Sequence, residues 1–255
     1  MFAADAFEGR VVLISGGTRG IGAQCALELV QLGASVAVSG RDSAQIGSIV
    51  SELRALAGGP DRVIGLPADI TSVAEIRDMV AAACDYFGHV DVLINSAGTN
   101  IRSAALDVTE DEWDTVMNVN LRGTFFTSQA FAATMTSAHR GKIINISSQY
   151  GHIGSANRVV YSASKGGVEL MTKSLAVEWA PRVLVNTVCP TFIETDLTRG
   201  LLRDPAVRSE LLARIPVGRF GEVSDVTGAV LYLASDLSNM VTGTALLVDG
   251  GWTAT

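Results

Sequence analysis

The sequence predicts a doubly wound parallel α/β sheet, and three observations predict it. Seven short apolar runs are spread over the 255 residues. Segments long enough for crossover helices separate them. The first run passes directly into a glycine-rich turn, where a strand of such a sheet hands over to a helix. With no linker-like or low-complexity stretch and no internal repeat, residues 1–255 are read as one domain.

Taken in order, the first strand is VVLIS, residues 11–15, and the glycine turn and a helix follow it. The runs ASVAVS (34–39), RVIGL (62–66), VDVLIN (90–95), KIINIS (142–147), VLVNTV (183–188) and ALLVD (245–249) supply about six more strands. Continuous rather than alternating hydrophobicity marks strands covered on both faces. Two helix starts are legible between them. Ser72 with Glu75, and Thr109 with Glu112, have the spacing of a capping box ahead of apolar periodicity. In such sheets ligands bind beyond the carboxyl ends of the strands, so the residues that follow each run carry the functional reading.

Composition excludes several classes. Net charge is -7 and the pI about 5.0, which disfavours nucleic acid and anionic membrane surfaces as partners. Mean hydropathy is high at +0.33, yet no apolar run approaches the roughly 18 residues of a membrane span. The N-terminal stretch MFAADAFEGR carries acids where a secretory signal needs a basic region, so a cytoplasmic protein is expected. Cys25, Cys84 and Cys189 are scattered and odd in number, as expected of reduced thiols. His89, His139 and His152 show no metal-ligand spacing, and no metal is expected.

The glycine turn, SGGTRGIG, places Gly16, Gly20 and Gly22 between strand and helix. Glycine there allows close approach of backbone N–H groups to a pyrophosphate, which the helix N-terminus attracts. The second strand ends in Gly40, with Arg41 following. A carboxylate at that point would hold the ribose 2′-hydroxyl of NAD, whereas a guanidinium grips the 2′-phosphate of NADP. Arg41, with Arg19 in the turn, favours NADP(H); Asp42 keeps NAD(H) possible.

Tyr161 and Lys165 lie four residues apart in YSASK, on one face of a helix. A free phenol titrates near 10. An ammonium roughly 5 Å away contributes about 3 kcal/mol at an effective dielectric near 20, enough to lower that by about two units. Such a tyrosine exchanges a proton with a substrate hydroxyl near neutral pH. Ser147 and Ser148 end the preceding strand, where a hydroxyl can polarise a substrate oxygen.

These segments together resemble the short-chain dehydrogenase/reductase family, over essentially the whole chain. SGGTRGIG resembles its TGxxxGxG turn, NSAG at Asn95 to Gly98 its NNAG motif, VNLRG its asparagine segment at Asn120, and ISSQYG with YSASK its Ser, Tyr and Lys. CPTFIET resembles its PG-x-x-x-T segment, with Thr191 in place of glycine where backbone freedom is expected, and LLVDGG its C-terminal signature. The resemblance implies a Rossmann-type fold and four catalytic residues. Tyr161 is the general acid/base, and Lys165 lowers its pKa and holds the nicotinamide ribose. Ser148 orients the substrate oxygen, and Asn120 fixes a water that passes the proton on. It implies cofactor contacts at Gly16, Thr18, Arg19, Gly20, Ile21, Gly22 and Arg41, at Asp69 and Ile70, at Asn95, Ala97 and Gly98, at Tyr161 and Lys165, and at Ile193 and Thr195. Gly166 and Gly167 each cost a helix about 1 kcal/mol and suggest close packing of that helix. The family's assembly across equivalent helices implies a homotetramer, or a homodimer.

The stretch around residues 191–221, with Arg199, Arg203, Arg208, Arg214 and Arg219, is expected to form a lid over a small-molecule substrate. Arg102 suggests an anchor for a carboxylate or polyol, and its surroundings resemble sugar-acid dehydrogenases such as gluconate 5-dehydrogenase. His152 is a candidate substrate contact or loop cap. The reading is an NAD(P)-dependent oxidoreductase that interconverts a secondary alcohol and a ketone, on a sugar, polyol or hydroxy acid. The alternatives are a 3-oxoacyl-thioester reductase and a non-catalytic dinucleotide-binding regulator, the latter leaving Ser148, Tyr161 and Lys165 without a role.

Overall fold

The computed structural model describes residues 2–194, 198, 200 and 203–254. All seven expected strands form, in one parallel sheet of order β3-β2-β1-β4-β5-β6-β7. They are β1 (Val11–Ser15), β2 (Ser35–Gly40), β3 (Val63–Pro67), β4 (Val92–Asn95), β5 (Gly141–Ile146), β6 (Val183–Pro190) and β7 (Ala245–Val248). The order reverses between β1 and β4. The carboxyl ends of these two strands therefore open a crevice, and the loops after Ser15 and Asn95 form its two walls.

Helices cover both faces because each strand is apolar on both. Along β1, Val12 and Ile14 join one core with Leu29 and Val30 of α1 (Gly20–Gln31), Ile46 and Leu53 of α2 (Ser43–Ala57) and Val230 of the last long helix. Val11 and Leu13 join the opposite core with Met79 of α3 (Val73–Phe87), Phe131 of α5 (Thr124–Ala132) and Leu175 of α6 (Val159–Trp179). Burial of each such side chain contributes about 1.5–3 kcal/mol.

Thr109 forms the full expected capping box with Glu112, opening α4 (Glu110–Met117). The other start differs. Ser72 accepts from Glu75 N–H, but the Glu75 carboxylate passes Ser72 and takes the N–H of Asp69 at 2.9 Å. A six-residue π-helical stretch, Asn118–Gly123, joins α4 to α5.

Gly166 and Gly167 do permit close packing, but within the chain. A Cβ at Gly167 would stand 2.9 Å from Leu121 of the π-helical stretch, and one at Gly166 3.3 Å from the Gly151 carbonyl oxygen. A further short helix, α7 (Pro205–Ala213), and a long one, α8 (Val223–Ala234), precede β7. Among the described residues no helix is long and apolar enough to cross a membrane.

Candidate active site

The glycine turn has the backbone the sequence calls for. Gly16 and Gly20 have φ of 71° and 57°, in the left-handed region open to glycine. A Cβ at Gly16 would stand 2.5 Å from the Ala97 nitrogen, and one at Gly22 would overlap the Gly16 carbonyl oxygen. Gly20 faces open space. The turn therefore presses against the Ala97–Gly98 loop on one side and leaves the start of α1 open on the other. This cradle suits a dinucleotide pyrophosphate.

At the end of β2, Asp42 proves to be the N-cap of α2. Its Oδ1 accepts from the N–H groups of Ala44 and Gln45, and its Oδ2 from Gln45 Nε2. Arg41 and Arg19 are exposed, and neither guanidinium has a hydrogen-bond or ion-pair partner among the described residues. Thr18 lies over the strand end, where a Cβ at Gly40 would be 2.8 Å from its methyl group.

Several expected cofactor contacts are differently occupied. Asn95 is buried in a polar ladder across the strand ends. It accepts from Ser15 Oγ and donates to Ser128 Oγ at 3.0 Å and Asn145 Oδ1 at 2.9 Å, while Asn145 continues to Thr172 and Thr172 to Thr187. Its side chain is thus spent on strand register rather than aimed at a ligand. Asp69 likewise caps its own turn, accepting from Thr71 N–H and Oγ1 at 2.9 Å. Ile70 and Ile193 are buried; Ile21 is partly so. Thr195 lies outside the described residues. Thr191 needs no backbone freedom, because Asn157 alone among described non-glycine residues has positive φ.

The candidate catalytic side chains converge from three elements. Ser147 and Ser148 follow the end of β5, and their roles separate. Ser147 Oγ donates to Glu169 Oε1 at 2.9 Å and to the Lys165 carbonyl at 3.2 Å, tying strand to helix. Ser148 turns its hydroxyl to Tyr161, in the first turn of α6, and also accepts from Tyr150 N–H. Lys165 is buried, donates to the Ile146 carbonyl at 2.8 Å, and holds its Nζ 5.8 Å from the centroid of the Tyr161 ring. A Cβ at Gly98 would be 3.6 Å from that Nζ, so the ammonium borders the loop after β4. Asn120, fully buried, accepts from Thr99 N–H at 2.8 Å and donates to Thr99 O and Ser164 Oγ. Its amide joins the π-helical stretch to the β4 loop and to α6. Both hydrogens of its Nδ2 are committed in this way, which leaves the second lone pair of Oδ1 and the backbone carbonyl for a water.

The electrostatics correct one expectation. Burial raises the Tyr161 phenol above its ordinary 10, against the opposing pull of the Ser148 hydroxyl and the Arg158 guanidinium. Lys165 holds its Nζ 5.8 Å from the ring centroid, and burial brings its own pKa down to about 8. Desolvation outweighs the pair attraction that the four-residue spacing suggested.

Three features were missed in the sequence. His152 stands 3.0 Å from Glu169, and Cys189 hydrogen-bonds the same carboxylate, making a network behind Lys165. The donor atoms of this trio lie within 4.8 Å of one another, but Glu169 is already occupied by these hydrogen bonds and by Ser147. His152 thus turns its Nε2 to Glu169. Arg158, buried immediately ahead of α6, also went unnoticed; its position three residues before Tyr161 was the available signal. Finally, three of the arginines expected in the lid are paired. Arg208 meets Glu194 and the Phe220 ring, Arg214 covers Trp252, and Arg219 grips Asp225 with both terminal nitrogens. Arg199 lies outside the described residues.

Comparison with known proteins agrees with this arrangement. A family model described as enoyl-(acyl carrier protein) reductase matches residues 16–253. The chain is 38% identical to the 3-oxoacyl-[acyl-carrier-protein] reductase FabG of Thermotoga maritima over 245 residues, 96% of this chain and 98% of that protein. It is 37% identical to the 2-dehydro-3-deoxy-D-gluconate 5-dehydrogenase of Escherichia coli over 256 residues, 100% of this chain and 99% of the other. A short-chain type dehydrogenase/reductase from Mycobacterium ulcerans superposes with a TM-score of 0.94 at 29% identity, covering 98% of this chain and 91% of that one. With the parallel sheet, the glycine cradle and the convergence of Ser148, Tyr161 and Lys165, these matches make the chain a member of the short-chain dehydrogenase/reductase family, NAD(P)(H)-using oxidoreductases that act on CH–OH groups.

Proposed function

We propose that the chain interconverts a secondary alcohol and a ketone, with NADP(H) favoured over NAD(H) and with a sugar, polyol or hydroxy acid as substrate. The observation that carries the reading is the convergence of Ser148, Tyr161 and Lys165 beside the Ala97–Gly98 loop. A bound nicotinamide supplies or accepts hydride at the substrate carbon. Tyr161, protonated at neutral pH because burial raises its pKa, donates its proton to the oxygen of a ketone and recovers it from an alcohol. Ser148 supplies a second hydroxyl to the same oxygen. Lys165 brings positive charge to the site, and Asn120 fixes the loop after β4 against α6.

Gly16, Gly20, Gly22, Thr18 and Arg19 would line the pyrophosphate end. The free guanidinium of Arg41 would meet a 2′-phosphate, a reading supported by the use of Asp42 as a helix cap. A nicotinamide absorbance assay against sugars, sugar acids, polyols and ketones, with NADPH and NADH at equal concentration, tests both parts. Inactivity of every member with either dinucleotide would refute the reading.

A second reading, reduction of a 3-oxoacyl thioester, is favoured by the 38% identity to FabG. Turnover of acetoacetyl thioesters exceeding that of every sugar and hydroxy acid would select it. Residues 191–221 are proposed as the substrate lid: Phe192, Leu211, Ile215 and Phe220 pack with Trp252 and Tyr150 beside Tyr161. Exposed Leu170 and Val177, seven residues apart on α6, support assembly through that helix into a homotetramer, which light scattering tests. A cytoplasmic location is proposed, supported by the three cysteines free of disulfides, and cell fractionation tests it.

A further inference from the structure

Arg158 is the N-cap residue of α6, three residues ahead of Tyr161. It is only 8% exposed, and among the described residues its guanidinium has no hydrogen-bond or ion-pair partner. Its recorded contact is the face of the Tyr150 ring, 5.7 Å from the centroid. A buried guanidinium without an anion is costly, and folded chains pair such groups unless a ligand does so. No nitrogen of Arg158 is among the fully enclosed polar atoms that lack a partner, so the guanidinium is not wholly sealed from its surroundings.

Other positive charge accumulates at the same place. The charge of Arg102 bears on Arg158 and lowers its pKa further than burial does alone, while Arg158 in turn acts on Tyr150 and Tyr161. The 21-residue helix α6 points its N-terminus here, with no side-chain cap and no acidic residue in its first turn. An arginine at a helix N-terminus opposes the helix dipole rather than complementing it. The preceding residue, Asn157, has φ of 58°, the left-handed backbone that a non-glycine side chain seldom takes. Asparagine tolerates that backbone better than other non-glycine residues, so the unfavourable feature accepted here is the cation at the helix N-terminus beside Tyr161. The pyrophosphate end of the cofactor cannot be its target, since that end is assigned to the glycine turn after β1.

We propose that Arg158, backed by Arg102, receives a carboxylate on the substrate, which narrows the substrate class to hydroxy and keto acids, sugar acids included. The inference rests on the reading of Tyr161 as the proton donor and acceptor. The planar fork of Arg158 holds a carboxylate through two parallel N–H···O bonds. The charge of Arg158 acts on Tyr161, so a carboxylate held there would lie near the carbon that reacts.

Matched probes differing only in charge test this: gluconate against glucitol, and 3-hydroxybutyrate against 3-hydroxybutyramide. The wild-type enzyme with NADP+ is expected to prefer the acid of a pair. In R158Q, KM for the acid should rise by roughly 10- to 100-fold, with a smaller change in kcat and little change for the neutral partner. R158K, which keeps charge but loses the fork, should fall between. R102Q should weaken the same preference. Dinucleotide affinity, read by fluorescence quenching, should stay constant in all three.

Equal effects of R158Q on acid and neutral partner, or none on either, overturn the proposal. If R158Q does not fold, R102Q and R158K carry the same comparison. If wild type turns over neither pair, the reading of a sugar, polyol or hydroxy acid as substrate fails instead. Calorimetric titration of the dinucleotide-loaded protein with gluconate then decides the inference: binding by wild type that R158K weakens upholds it, and no binding overturns it.

Discussion

The ammonium of Lys165 donates to the carbonyl oxygen of Ile146 at 2.8 Å, so the helix that carries Tyr161 is fastened to the strand that carries Ser148. That carbonyl anchors the ammonium but does not restore its hydration, and burial brings its pKa to about 8. Glu169, one helical turn on and buried, pulls the other way.

As pH rises through about 8, Lys165 loses its proton and with it the charge offered to the site, so kcat/KM should decline above that pH. Removing the opposing anion with E169Q should move this limb to lower pH. A pH–rate profile that is identical in E169Q and wild type would contradict the link. Stability carries the same signature with the opposite slope. The unfolded chain keeps the lysine proton up to about its ordinary 10.5, so between about 8 and 10.5 the unfolded state binds more protons and the fold gains stability as pH rises. K165M should abolish that gain in thermal melts.

Replacing Tyr161 by Phe removes the hydroxyl that faces Ser148 and leaves the ring in place. Turnover should fall by about 10²- to 10⁴-fold, while the dissociation constant for NADPH changes little. Retention of full activity would exclude Tyr161 as the proton donor.

Glycines of this chain separate by what a methyl group would meet. Gly22→Ala drives a Cβ into the Gly16 carbonyl and should lower both stability and dinucleotide affinity. Gly47 in α2 and Gly228 in α8 face open space, and alanine there should stabilise by about 0.5–1 kcal/mol each. Thermal melts of the three variants check the contrast.

Arg41 is exposed and has no partner among the described residues, whereas Asp42 is held by its own helix. Arg41→Ala should therefore raise KM for NADPH by about tenfold and leave that for NADH nearly unchanged. Equal losses with both dinucleotides would place the arginine away from the 2′ position.

At the opposite end of the sheet, Asp91 is buried, accepts from Val11 N–H at 2.8 Å and faces His89, His139 and Arg10. Asp91→Ala leaves that N–H unsatisfied and should cost about 1–3 kcal/mol, with specific activity of the folded fraction unchanged. Urea unfolding alongside an activity assay separates the two effects.

What the sequence by itself determined is the sheet and the residue types at its ligand edge. Seven apolar runs became seven strands because continuous hydrophobicity leaves no polar face to expose, and the glycine turn is legible because left-handed backbone has few other solutions. The tertiary structure decided which polar groups remain free. Asn95 and Ser15 read as loop-edge residues, yet pairing of β1 with β4 puts them opposite each other, and burial then obliges them to hydrogen-bond. Asn120 is consumed in the same way by Thr99, twenty-one residues away. Ser147 and Ser148 are indistinguishable in a string; the strand's alternation sends one to Glu169 and the other to Tyr161. Arg158 lies in an unremarkable loop until folding buries it with no hydrogen-bond or ion-pair partner among the described residues. Hydrogen-bond satisfaction and desolvation depend on neighbours distant in sequence, and for that reason only the fold could assign them.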